Sequence, residues 1–232
     1  MAQLSCANLW RQTLQIKAII FDFDGVIAET EHIHRQSWVL LAKELNKDLP
    51  EGFLERGIGS TNDKLAAELE IFWDQTIALQ EIIDLKCKYF VSSVSQDENV
   101  LVPGVLQAFE HFKQKNLPIG IATSSPIGEI DGILEHFKIK KFLDSLFTLD
   151  DVTHPKPEPE VYLRSAAALD VSPQDCLVFE DSILGTTAAR AADCKVIGIT
   201  TSYSEKDLQP VLATMPDFLQ LKDKLTELNI EF

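Results

Sequence analysis

Long hydrophobic runs are missing from this 232-residue chain. The longest uninterrupted apolar stretch is Trp38 to Ala42, far short of the roughly 20 residues that a membrane-spanning helix needs, so no membrane association is expected. The segment Met1 to Gln15 lacks the apolar centre of a secretory signal, and export by that route is not expected either. Basic residues are few: 21 Lys and Arg stand against 36 Asp and Glu, for a formal charge of -15. Binding to a nucleic-acid backbone runs on clustered Lys and Arg. With no basic stripe present, nucleic acid is not an expected partner. Cysteine is sparse and unpatterned. Cys6, Cys87, Cys176 and Cys194 show no CxxC or metal-ligand spacing, which fits reduced structural thiols in a cytoplasmic protein. Repeats and low-complexity stretches are also lacking. What remains is a composition 45% apolar, ample for a buried core, at a length that suits one domain or one domain with an insertion.

From residue 101 onward, helical patterns alternate with short β-rich runs. Val105 to Lys115 reads as a helix and Pro118 to Ala122 as a strand, while Ile127, Ile130, Leu134 and Phe137 repeat at helical spacing. Leu146 to Leu149 reads as extended, Glu158 to Leu169 as helical, Cys176 to Phe179 as extended, Ile183 to Ala192 as helical and Val196 to Ile199 as extended. Strands separated by helices of this length imply βαβ units and a parallel sheet. The stretch from Glu31 to Val100 differs, with three helical stripes and no convincing strand. They are Trp38, Leu41, Ala42 and Leu45; Leu65, Leu69 and Phe72; and Ala78, Ile82, Leu85 and Tyr89. The expected architecture is therefore an α/β, Rossmann-like, doubly wound parallel sheet formed by residues 1–29 and 101–232, with residues 30–100 inserted as a helical cap. The connections at Ala28 to Thr30 and Asn99 to Pro103 would be its hinges.

The first strand carries the strongest chemical signal. Lys17-Ala18-Ile19-Ile20-Phe21-Asp22-Phe23-Asp24-Gly25 delivers two acids, two residues apart, into a glycine turn. Residues i and i+2 of a strand share a face, so extended geometry continued to Asp24 would aim both carboxylates at one volume. Two like charges there would cost about 4 kcal/mol at about 4 Å and an effective dielectric near 20, which calls for a cation such as a bound metal ion. In a doubly wound sheet the ligand site lies outside the carboxyl ends of the strands. Those ends offer Asp22 and Asp24, then Thr123-Ser124-Ser125, then Glu180-Asp181, with Lys156 between the last two in His154-Pro155-Lys156-Pro157. Each alone has a bland explanation as a turn, a helix cap or a solvated charge. Together they supply what phosphoryl transfer requires: hydroxyls and amides for phosphoryl oxygens, a lysine, and carboxylates for a hard metal.

With these motifs in order, the sequence resembles the haloacid dehalogenase-like superfamily, in the branch of small helical-capped phosphatases and β-phosphoglucomutases, over roughly Lys17 to Lys222. The resemblance implies that Asp22 is the nucleophile that forms an aspartyl-phosphate and that Asp24 is the general acid and then base. It implies a Mg²⁺ ion held by the Asp22 carboxylate, the Asp24 backbone carbonyl and Asp181, with Glu180 coordinating directly or through water. Thr123, Ser124 and Lys156 would bind phosphoryl oxygens, and Lys156 would also neutralise Asp22. Thr30, Glu31 and His34 resemble the hinge segment of this branch, and His34 matches a substrate-side histidine of the mutases. Glu29 stands where many relatives have aspartate.

Water or a sugar hydroxyl could attack the aspartyl-phosphate. Against a mutase, the loop Gly57 to Asp63 lacks the arginine that mutases place after their loop serine, Arg56 lies at the wrong offset, and Pro126 replaces a lysine. Losing a bidentate arginine would weaken the hold on a distal phosphate. The expectation is a phosphatase of a small phosphorylated metabolite, a sugar phosphate in particular, with the sugar phosphomutase as alternative. A receiver-like phosphoacceptor module is the non-enzymatic reading; it would lack a helical insertion after DxDG. A DxD glycosyltransferase would leave Thr123, Ser124, Lys156 and the Glu180-Asp181 pair unexplained. The sequence does not fix the oligomeric state, for which a monomer is the favoured expectation.

Overall fold

The computed structural model describes residues 13–57, 62–94 and 99–232. In chain order the elements begin with β1 (Leu14–Gln15), β2 (Ala18–Phe21), α1 (Glu31–Glu44), α2 (Phe53–Arg56), α3 (Asn62–Phe72) and α4 (Leu79–Val94). They continue with α5 (Val105–Gln114), β3 (Ile119–Ala122), α6 (Ile127–His136), β4 (Ser145–Phe147) and α7 (Glu160–Ala168). The last are β5 (Cys176–Glu180), α8 (Ile183–Ala191), β6 (Lys195–Ile199), β7 (Ala213–Met215), α9 (Leu221–Glu227) and β8 (Ile230–Glu231). Two compact units result. One comprises the described residues up to Ile27 with Val102–Pro126 and Ile139–Phe232, the other Ala28–Leu101 with Ile127–Lys138.

The first unit is built on a six-stranded sheet in the order β4-β3-β2-β5-β6-β7, parallel at every pairing. β2 and β5 are buried along their whole length, as strands covered on both faces must be. Their side chains alternate between two cores. Ala18, Ile20, Cys176 and Val178 pack with Val161, Tyr162, Ala166, Ala188 and Ala189 of α7 and α8. On the opposite face the Phe21 ring lies 4.6 Å from Phe109, 5.1 Å from Phe179 and 5.8 Å from Phe218. This alternation is the period of two expected of an extended chain. β1 pairs with β8 in a separate two-stranded parallel sheet.

The second unit is helical. Trp38, Leu41 and Ala42 of α1 pack with Phe53, Leu65, Ala66, Leu69, Trp73 and Ile82, so most of the expected stripes do form a core. Phe72 does not join it. It is 51% exposed, standing at the last position of α3 on the margin of the face that Leu65, Ala66 and Leu69 bury. The unit also takes in α6, which the expected division assigned to the other domain. A buried polar cluster accompanies that association: Lys86 of α4 ion-pairs with Glu129 of α6, and Asn62 of α3 donates to the same carboxylate. The two linking segments pair with each other, Ala28 against Leu101.

Other departures from the sequence reading are local. Leu149 is not extended, since strand β4 ends at Phe147 and a 3-10 turn covers Leu149–Asp151. Thr148 opens that turn by accepting the Asp150 amide while Asp151 returns to the Thr148 amide at 2.8 Å. β1, β7, β8 and the short helices α2 and α9 were not anticipated; they are two to seven residues long, too short for a periodic signal. Among the described residues no helix is long and apolar enough to cross a membrane.

Candidate active site

The strand order explains where the chemistry gathers. From β2 the chain winds outward through β3 to β4, then crosses back to lay β5 on the other side of β2 and continues to β6 and β7. The carboxyl ends of β2 and β5 therefore flank the point where the winding reverses, the usual ligand position in an open parallel sheet. The ladder runs on past β2, with the Asp22 amide donating to the Phe179 carbonyl at 3.0 Å. Asp22 thus emerges beside Glu180 and Asp181. From the next strand, Thr123 is tied by its amide to the Phe147 carbonyl at 3.0 Å.

Lys156 joins these ends. Its ammonium lies 2.7 Å from Asp22 Oδ1 and 2.7 Å from Glu180 Oε1, and its side chain is only 5% exposed. The preceding segment is held by Glu160 at the start of α7, which accepts the amides of Thr153 at 3.1 Å and His154 at 2.9 Å. Burial opposes the charge on Lys156, but Asp22 and Glu180 outweigh it and hold its pKa above the ordinary lysine value. Glu180 accepts more than the lysine. Tyr162 donates its hydroxyl to Oε1 at 2.9 Å, and Ser182 donates its amide at 2.8 Å and its hydroxyl at 3.0 Å to Oε2. Ser182 in turn caps α8 by accepting the Gly185 amide at 2.9 Å. Gly185 leaves the room this needs, since a Cβ there would meet Glu180 Oε1 at 1.5 Å. Burial, then the Glu180 charge, keeps the Tyr162 phenol well above its ordinary pKa, so it remains a donor.

Asp181 and Asp24 complete the group. Gly25 adopts φ +70 at the turn after Asp24, and a Cβ there would sit 1.9 Å from Asp181 Oδ2, so glycine serves both the left-handed backbone and the close approach. Thr201 ties the same corner, donating to the Gly25 carbonyl at 2.6 Å and lying 3.3 Å from Asp181 Oδ2. Ser125 donates its hydroxyl to Asp24 Oδ2. One oxygen from each of Asp22, Glu180 and Asp181 lies within 4.8 Å of the others. Burial raises the Asp22 pKa well above its ordinary value, Lys156 opposing and Glu180 and Asp181 adding to the rise. Burial and the Glu180 charge push Asp181 up to about 7. One ammonium does not balance three buried carboxylates, and a set of hard oxygens so placed fits a divalent cation.

The structure brings Asp22, Lys156, Glu180 and Asp181 into this network, with Asp24 joined through Ser125 and its charge felt at Asp181. Thr123 is buried and Ser124 exposed in the turn that carries Ser125. His34 lies in the helical unit, its Nδ1 2.9 Å from the Lys86 ammonium and its ring 4.4 Å from that of Phe90. Most of the loop read against a mutase, residues 58–61, lies outside the described residues. Arg56 is engaged by Glu68 at 2.5 Å and the Glu51 carbonyl at 2.7 Å. Tyr162, Ser182, Thr201 and the Lys86–Glu129 pair were not singled out from the sequence. Thr201 could have been, because it lies two residues past the carboxyl end of β6. Tyr162 and Glu129 gave no signal beyond a helical pattern.

Comparison with known proteins agrees with this geometry. The family description "haloacid dehalogenase-like hydrolase" matches residues 19–199. The chain is 26% identical over 207 residues to validoxylamine A 7'-phosphate phosphatase of Streptomyces hygroscopicus subsp. limoneus, covering 89% of this chain and 96% of that protein. It is 28% identical over 207 residues to hexitol phosphatase B of Escherichia coli K12, covering 86% and 90%. Among solved structures, β-phosphoglucomutase of Clostridium difficile superposes with a TM-score of 0.74 at 27% identity, covering 93% and 97%.

Proposed function

The chain belongs to the haloacid dehalogenase-like hydrolases, and on that premise we propose that it is a Mg²⁺-dependent phosphatase of a small phosphorylated metabolite, a sugar phosphate in particular. The observation that carries this reading is Lys156 set between Asp22 and Glu180 at 2.7 Å from each, beside Asp181. An anionic phosphoryl group needs cationic and hydrogen-bonding groups around a positioned nucleophile, and this corner of the sheet supplies them. The names of two relatives, a hexitol phosphatase and a phosphatase of a 7'-phosphate, point to polyol and sugar phosphates.

Asp22 attacks phosphorus; an Asp22–phosphorus bond forms as the ester bond breaks, and Asp24 gives its proton to the leaving oxygen. Asp24 then takes a proton from water as that water attacks the aspartyl-phosphate, releasing inorganic phosphate and restoring Asp22. The Ser125 hydroxyl steadies Asp24 for both transfers, while Lys156, Thr123 and Ser124 hold phosphoryl oxygens. Asp22, Asp181 and the Asp24 carbonyl are the candidate holders of Mg²⁺, with Glu180 acting directly or through water. When bound, the ion neutralises charge on the phosphoryl oxygens. Splitting one hard displacement into two is the gain from the covalent route.

Transfer to a sugar hydroxyl is the second reading, favoured by the likeness to a β-phosphoglucomutase. Hydrolysis is preferred because the helical unit's Arg56 and Lys86 are already paired with Glu68 and Glu129, leaving neither as an unengaged anchor for a second phosphate. The deciding experiment incubates the protein with Mg²⁺ and a panel of hexitol and sugar monophosphates, assaying released phosphate and isomerised sugar separately. Phosphate release is expected. Isomerisation of β-glucose 1-phosphate without it would overturn the choice, and inertness toward the whole panel would overturn the substrate class.

A further inference from the structure

We propose that Tyr162 is a positioning residue of this site: its hydroxyl helps fix Glu180 as the anchor of Lys156, so that Glu180 serves the ammonium and leaves direct coordination of the divalent cation to Asp22, Asp181 and the Asp24 carbonyl. The inference rests on the phosphoryl-transfer reading above and settles what that reading leaves open, whether Glu180 touches the metal.

The geometry of Glu180 carries it. An ionised carboxylate offers about four lone-pair positions, and four protein donors occupy those of Glu180: Lys156 and Tyr162 on Oε1, the Ser182 amide and hydroxyl on Oε2. Their distances run from 2.7 to 3.0 Å, all within the normal range. The carboxylate is fully buried, and its recess is shaped by Gly185, where a Cβ would displace it. A direct metal bond would have to take a lone pair from one of these donors. Asp181 is placed differently. Its Oδ2 faces Gly25 and lies 3.3 Å from the Thr201 hydroxyl, a longer contact than any made by Glu180, with the Ser202 side chain as a further partner.

Tyr162 touches both partners of the anchor. Besides donating to Glu180, its ring lies 4.9 Å from the Lys156 ammonium, within the range of a cation–π contact. The ring is wholly buried on α7, six residues after Lys156. One side chain thus sets the carboxylate and offers a face to the ammonium, which ties the lysine's position to the helix instead of to the loop alone. Removing the hydroxyl frees one position on Oε1 and loosens the orientation that Lys156 depends on. Support of this kind around a reacting group is worth about tenfold to a hundredfold in activity or metal affinity.

The test uses full-length protein stripped of metal and titrated with Mn²⁺, free ion being read by electron paramagnetic resonance. Wild type, Tyr162→Phe, Glu180→Gln and Asp181→Asn are compared, with steady-state kinetics at saturating Mg²⁺ alongside. Asp181→Asn is expected to weaken Mn²⁺ binding more than about tenfold, and Glu180→Gln and Tyr162→Phe far less. Tyr162→Phe is expected to lower kcat about tenfold with a smaller change in KM. A purely structural hydroxyl would lower the melting temperature and leave kcat at 25 °C unchanged. Glu180→Gln weakening Mn²⁺ as much as Asp181→Asn, or Tyr162→Phe turning over at the wild-type rate, overturns the proposal. If Tyr162→Phe does not fold, the Glu180→Gln titration decides it. Absence of turnover by wild type on the hexitol and sugar monophosphate panel would overturn the substrate class, while the Mn²⁺ comparison would still judge Glu180.

Discussion

Raising the pH of the metal-stripped protein from about pH 4 to about pH 8 is expected to destabilise it, opposite to what a surface carboxylate in an ion pair would do. Burial and the neighbouring Glu180 push Asp181 from 3.8 up to about 7, and Asp22 is raised in the same sense. Between those two pH values the folded protein binds a proton at Asp181 that the unfolded chain has released. The stabilisation is therefore full below about pH 4 and lost as pH rises through about 7. The interval from 3.8 to about 7, at about 1.4 kcal/mol per pH unit, is worth roughly 4 kcal/mol. Asp181 is only 4% exposed, so solvent does little to screen it. Added Mg²⁺ replaces the missing proton, and at about one hundred times its dissociation constant it returns about 2.7 kcal/mol, at high pH and not at low. Urea unfolding across this range, with chelator and with Mg²⁺, measures both effects against Asp181→Asn, which cannot take up the proton. Parallel stability curves for the metal-free wild type and Asp181→Asn would refute the reasoning.

Three further outcomes are expected. Asp22→Asn should abolish phosphate release while far-ultraviolet circular dichroism stays unchanged, because the amide keeps the shape but cannot attack phosphorus; undiminished turnover would remove Asp22 from its role. Gly25→Ala would strain a φ of +70 and press a Cβ against Asp181 Oδ2, so calorimetry should record weaker Mn²⁺ binding by about tenfold or more. Glu129→Gln would leave the fully buried Lys86 ammonium without its carboxylate, at a cost of about 3 kcal/mol in urea unfolding; the same change at the exposed Glu55 partner of Arg35 should cost less than about 1 kcal/mol.

Much of the site was legible because strand ends announce themselves. Apolar runs such as Ala18 to Phe21 and Cys176 to Phe179 are short, continuous and followed at once by acids, and a parallel sheet must bring such ends to one edge. Lys156 was legible only in company: alone it is a lysine among prolines, and its place in the chain between the Thr123-Ser124-Ser125 and Glu180-Asp181 strand ends made it a candidate. Thr201 gives a weaker signal, because it stands two residues beyond the end of β6 and a threonine after a strand has many ordinary uses. Phe72 sits at helical spacing from Leu65 and Leu69 yet faces solvent, since three positions on one helix do not say how wide the buried stripe is.

Local order along the chain determined which segments are strands or helices and which acids, hydroxyls and lysine were candidates for chemistry, because periodicity and turn residues act over a few neighbours. Only the tertiary structure decided which groups touch. Lys156 meets Asp22 across 134 positions of sequence, and it meets Glu180 instead of standing in water because β5 is laid against β2 and α7 against both. Likewise Lys86 finds Glu129 from 43 positions away, which draws α6 into the helical unit. Pairings of that kind follow from strand order and helix packing, and the energy that selects them is the burial of surfaces that no local stretch of sequence can see.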